Sequence, residues 1–100
     1  MYIQVKMWKF HSSDTGKSRC KIAQEMKSKL DKLAHIIHVI SSLEAGVNVN
    51  PAIDNFNLVL IVQFDNHEDM IIFHEHKEYK KIEELMANYI ADSKVVEYEV

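Results

Sequence analysis

The sequence predicts an α+β protein: a four-stranded antiparallel sheet with helices packed on one face, in the chain order βαββαβ. Three observations predict it. Four segments carry the two-residue alternation of strands, and two long segments carry the 3.6-residue apolar period of helices. The helical segments fill the two long gaps, so two right-handed crossovers set both helices on the same side of the sheet. The 100 residues, 47% hydrophobic and 27% charged, can enclose one core, so residues 1–100 read as one domain.

Residues 2–10 alternate as a strand, with Ile3, Val5 and Met7 on one face and Tyr2, Gln4, Lys6, Trp8 and Phe10 on the other. Residues 11–17, HSSDTGK, are turn formers. Ser18 can then cap a helix running to about residue 38, whose apolar stripe is Ile22, Met26, Leu30, Leu33 and Ile37. A second strand is expected over residues 42–49, with Leu43, Ala45, Val47 and Val49 on one side, and Asn50-Pro51 ends it. A third spans residues 58–64. Asn66 caps a second helical segment, with Glu68 and Asp69 in its favourable first turn. Met70, Phe73, Ile82, Leu85, Met86 and Ile90 carry its apolar content, with a break expected near His76. Residues 94–100 close the chain as a strand, with Lys94, Val96, Tyr98 and Val100 on one side and Val95, Glu97 and Glu99 on the other.

The third strand is apolar on both faces: Leu58, Leu60, Val62 and Phe64 on one, Val59 and Ile61 on the other. Helices cover only one face of the sheet. The other would leave an apolar patch in water, and such a patch on a small protein marks an interface. Packing it against a copy of itself gives a symmetric dimer in which two sheets form a barrel-like sandwich.

Composition narrows the function classes. Twelve Lys and Arg against fifteen Asp and Glu give a net charge of −3, which does not suit a nucleic-acid surface. Two glycines and one proline leave no dinucleotide fingerprint and no P-loop. Cys20 is alone, so neither an internal disulfide nor a cysteine-based zinc knuckle can form, and the expected setting is cytoplasmic. The longest apolar run, residues 58–62, is far short of a membrane span, and the first ten residues lack a signal-peptide core, so no membrane partner is expected. Within HEHKE, His74 and Glu78 have helix-compatible ligand spacing, but His74 and His76 lie on different helix sides and no HExxH is present; no metal is expected.

Taken in order, the opening strand ending in MWKF, then SLEAGVNVNP, then VLIVQFDNHEDMIIFHEHKEY, then VVEYEV resemble the stress-responsive α/β-barrel family over essentially the whole chain. The resemblance implies a ferredoxin-like protomer and a homodimer. It implies no single activity, since the family includes plant stress proteins and plant polyketide cyclases, and related folds include cofactor-free monooxygenases. In the cyclases a helix tyrosine and a helix histidine do acid–base work in a cleft between sheet and helices. Here Phe73 stands at the tyrosine position and Tyr79 at the histidine position. His76 stands at the first histidine of a His-Pro-Ala-His stretch, with Lys77 in place of the proline, and Gln4 stands where many members have a first-strand histidine.

The same resemblance points Gln4, Lys6, Trp8, Leu58, Leu60 and Val62 towards the helices and Ile3, Val5, Met7, Val59, Ile61, Val96 and Tyr98 into the dimer. The expected ligand cleft is therefore lined by Gln4, Lys6, Trp8, Leu58, Leu60, Val62 and Phe73, with His76 and Tyr79 as proton donor and acceptor. A competing reading of these residues has Lys6 snorkelling or paired with Glu97 on the closing strand, His76 at the surface or rim and Tyr79 half-buried. The expected function is a homodimer that binds a small hydrophobic or aromatic compound, with catalysis on an aromatic or polyketide-like substrate left open and no cofactor. The alternative is a non-catalytic dimer with a stress-related or structural role.

Overall fold

A computed structural model describes residues 1–12, 16–50, 52 and 54–100 of the chain. Its elements are β1 (Tyr2–Phe10), α1 (Arg19–Leu33), β2 (Ser42–Val47), β3 (Leu58–Phe64), α2 (His67–Glu75), α3 (Lys77–Met86) and β4 (Ile90–Glu99). The four strands form one antiparallel sheet in the order β2-β3-β1-β4. This is the ferredoxin-like α+β arrangement. The described residues fit the expected faces: Trp8, Phe10, Leu58, Leu60, Val62 and Phe64 join Ile22, Met26, Leu30, Leu33, Phe73, Tyr79 and Met86 in one core.

Capping follows the side chains available. Ser18 Oγ accepts from the Lys21 amide at 3.1 Å, and Asn66 Oδ1 accepts from the Asp69 amide at 2.9 Å. The second helical segment breaks at His76, whose backbone is extended (φ −66°, ψ 133°), so α2 and α3 are separate helices.

Several boundaries differ from the sequence expectation. α1 ends at Leu33, and tight turns carry the chain on through His35 and Ile36 while Ile37 still reaches the core. β2 ends at Val47, because Val49 is fully in water and has no apolar surface to join. β4 starts earlier, at Ile90, where a register shift between Lys9 and Phe10 lets Phe10 pair with Ile90. Ser13, Asp14, Thr15, Pro51 and Ile53 lie outside the described residues, so the expected turn before α1 and the strand stop at Pro51 are not covered.

Residues 91–99 of β4 are exposed on both faces, so the helices cover the sheet over β2, β3 and β1 but leave β4 bare. On the open face the register sets Val5, Ile61 and Val96 side by side, and Met7 beside Val59 and Lys94.

Candidate functional site

Strand alternation aims Tyr2, Gln4, Lys6 and Trp8 of β1 at the helix side. Trp8 and Gln4 are both buried, at 5% and 2% exposure, while Lys6 is half-buried; Gln4 and Lys6 pair across the ladder with Glu97 and Val95. Val95 is 55% exposed, so the Lys6 end of this groove opens to water over β4. The opposite wall is α2 and α3, which contribute His74, Tyr79 and Glu83.

A connected polar network runs through the groove. The Tyr2 hydroxyl donates to Glu97 Oε1, and Gln4 Nε2 donates to Glu97 Oε2 at 2.7 Å. Because a carboxylate only accepts, this fixes the Gln4 amide with Oε1 towards His74, 2.8 Å from its Nε2. The His74 ring therefore carries its proton on Nε2 and keeps Nδ1 as its basic position. Lys6 Nζ donates to the Tyr79 hydroxyl at 3.0 Å and lies 3.9 Å from a Glu83 carboxylate oxygen. The rings are packed as well: Phe73 and Tyr79 lie 4.3 Å apart between centroids, and His74 meets Tyr79 edge-on at 5.3 Å.

Burial sets the electrostatics. Desolvation, with the nearby charges of Lys6 and Lys80, pulls His74 down to about 4 against the opposing pull of Glu97, so the imidazole is neutral at physiological pH. Desolvation also lowers Lys6, against Glu83 and Glu97. Tyr79 is pushed up by burial and by Glu83, so its hydroxyl stays protonated. Glu97 is held below the usual carboxylate range, chiefly by the Tyr2 and Gln4 hydrogen bonds. The arrangement offers a neutral base, a buried protonated phenol and a partly desolvated amine in one network, which reaches water at the half-buried Lys6 and His74.

The sequence model for the stress-responsive A/B barrel domain matches residues 4–100. The chain belongs to that family. Among solved structures, this stress-responsive A/B barrel domain is similar to a dimeric protein of unknown function with a ferredoxin-like fold from Bacteroides fragilis. The two are 25% identical at a TM-score of 0.85, covering 99% of this chain and 95% of that one. It is also similar to a dimeric ferredoxin-like protein of unknown function from Thermobifida fusca (15% identical, TM-score 0.80, covering 99% and 90%). A hydroxynitrile lyase from Passiflora edulis is 14% identical with a TM-score of 0.78, covering 99% and 92%. At 14–15% identity the last two show a shared fold and nothing of chemistry. No curated protein matches the chain.

In this family member the residues expected to line the cleft separate into two groups. Gln4 and Lys6 join the polar network. Trp8, Leu58, Leu60, Val62 and Phe73 are packed into one core cluster with Met26, at 0–5% exposure. Tyr79 reaches the network through its hydroxyl. His76 does not accompany it: the break after Glu75 interrupts the helical spacing that would align the two, and His76 Nδ1 accepts the Glu78 amide at 3.1 Å as the cap of α3. The Lys6–Glu97 pairing expected from the competing reading is taken by Gln4, which stands opposite Glu97 in the ladder.

The imidazole beside Tyr79 is that of His74, considered in the sequence only as a metal ligand. No group of three or more metal-ligating side chains occurs among the described residues. Two signals for His74 were present: it follows Phe73 in the helix before the break, and Gln4 offered it a partner of the right polarity.

Proposed function

We propose that the protein is a homodimer joined through the open face of its sheet, and that each protomer binds a small polar compound in the groove between β4 and helices α2 and α3. Lys6, His74 and Tyr79 are the contact residues, and the chemistry available to them is proton transfer. The observation that carries the site is the neutral His74 imidazole, with Nδ1 free to accept, beside a phenol hydrogen-bonded to Lys6. Buried, perturbed groups clustered in a cleft point to a functional site. The dimer rests on the apolar open face, where Met7, Val96 and Tyr98 are exposed and Val5, Val59 and Ile61 are half-buried. It also rests on relatives described as dimeric. Ile3 is already covered within the protomer and contributes less to that face.

A second reading, a dimer without catalysis, is favoured by one observation. The aromatic walls expected to hold a polyketide-sized compound are filled by Trp8, Phe73 and Met26. Of the polar network only the half-buried members such as Lys6 and His74 reach water, which restricts a ligand to a small polar compound. The two readings part on a titration of isotope-labelled protein with small phenols, carboxylates and β-keto compounds, following the His74 ring resonances and the melting temperature. Saturable His74 shifts together with a raised melting temperature support the ligand site. Their absence across the panel removes it and leaves the non-catalytic dimer.

A further inference from the structure

We propose that the Lys6 amine is a nucleophile that forms an imine with small neutral aldehydes and ketones. The inference rests on the groove of the previous section being a ligand site, and it names the substrate class.

Among the lysines of the chain, Lys6 occupies an unusual place. Its side chain is 17% exposed, against 39–68% for Lys27, Lys81 and Lys94, which are held in surface ion pairs. Strand alternation carries its stem inward next to Gln4 and Trp8, and the amine surfaces at the uncovered β4 edge opposite exposed Val95. Tyr79 and Glu83 face it from α3, His74 from α2 and Glu97 from β4. Desolvation favours the neutral, nucleophilic amine, and the two carboxylates oppose it. Those same carboxylates repel an anionic substrate, which is why the class is neutral carbonyl compounds rather than keto acids.

The groups around the amine match the demands of the reaction. The neutral amine attacks the carbonyl carbon and forms the C–N bond, while the carbonyl π pair moves onto oxygen. That oxygen takes a proton from the Tyr79 hydroxyl, 3.0 Å from the resting amine. The new ammonium gives a proton to His74 Nδ1. The carbinolamine then loses its hydroxyl with a returned proton as water, and loss of the remaining nitrogen proton, which restores Tyr79, gives the neutral imine. The balance is one carbonyl and one amine in, one imine and one water out, with no redox partner.

The test is reductive trapping. The protein is treated briefly with limiting propanal and cyanoborohydride at neutral pH, and propylated lysines are located by peptide mass mapping. Burial lowers the Lys6 pKa, so Lys6 should be labelled ahead of Lys27 and Lys94, by about tenfold for each unit that separates their pKa values. Its labelling should also rise to half-maximum at lower pH than theirs. Glu83→Gln removes a charge that holds the ammonium, so Lys6 labelling should speed up while the surface lysines do not change. Lys6 labelled no faster than the surface lysines overturns the proposal. If phenols still shift His74 in that case, only the imine chemistry falls; if nothing shifts it, the ligand site falls too.

Discussion

The amine of Lys6 and the hydroxyl of Tyr79 meet 3.0 Å apart, joining the middle of the β1–β4 ladder to the first turn of α3. Tyr79 is fully buried, with its hydroxyl on the Lys6 amine and its ring beneath that amine and edge-on to His74. Hydrogen bonds to charged groups contribute more than neutral ones, so Tyr79→Phe should cost about 1.5–3 kcal/mol in denaturant unfolding. Because the ring and its packing on Phe73 are kept, the fold and dimer should survive. A Tyr79→Phe protein as stable as the wild type would show that this contact contributes nothing.

The open sheet face should be the dimer interface. Ile61 lies at its centre, between Val5 and the β2 strand. A buried uncompensated charge there is strongly destabilising, so Ile61→Glu should give monomers, or unfolded chains, at micromolar concentration. Val96→Lys, on exposed β4, tests the same face with less risk to the protomer core. Sedimentation velocity decides: a monomeric wild type, or a dimeric Val96→Lys as tight as wild type, counts against this interface.

His76 should matter to stability rather than to ligand contact. Its ring nitrogen satisfies an amide at the start of α3, and losing such a cap costs about 0.5–2 kcal/mol. His76→Ala should therefore lower the melting temperature, and His76→Asn should restore most of the loss because its amide oxygen caps equally well. His74→Ala should instead abolish ligand-induced shifts. The reverse pattern would return the role of proton carrier to His76.

These contrasts show where sequence reading works. Alternation in β1 and β3 allows only two answers, and the family resemblance chooses the observed one, with Leu58, Leu60 and Val62 on the core side beside Trp8. The break at His76 was legible as well, but its consequence was not. Interrupting the helix resets the angular phase, so the i, i+3 relation between His76 and Tyr79 no longer measures proximity, and His74 takes that place. The filled cleft was also hidden. Whether Trp8 lines a cavity or plugs it depends on packing with Met26 and Phe73, which periodicity does not encode.

Trp8 should accordingly behave as a core residue. It is 5% exposed inside the main cluster, between the sheet and α1. Trp8→Ala removes a large buried ring, for which losses of about 3–5 kcal/mol are typical, and that is a large share of the stability of a domain this small. The expected result is a protein near its unfolding threshold, with Trp8→Phe markedly milder. If Trp8→Ala folded with wild-type stability and lost only ligand binding, Trp8 would be a pocket wall after all.

Acid should destabilise the fold, and His74 sets where. Its pKa in the folded protein is about 4, below the ordinary histidine value of 6.5. Between these two pH values the unfolded chain binds a proton that the folded chain refuses, so stability rises with pH across that window and falls on acidification through it. The slope from one such group cannot exceed about 1.4 kcal/mol per pH unit, and screening of the half-exposed ring reduces it. Glu97 adds to the same trend at lower pH: its folded pKa is depressed, so the stability it contributes is present above its ordinary range and is lost as pH falls through the depressed value. His74→Phe removes the proton-uptake difference while keeping an aromatic ring against Tyr79. Its absolute stability falls with the loss of the Gln4 hydrogen bond, but the dependence of stability on pH between about 4 and 6.5 should flatten. Chemical denaturation at a series of pH values measures that slope directly, and a variant with the wild-type slope would mean that His74 titrates alike in the folded and unfolded chains.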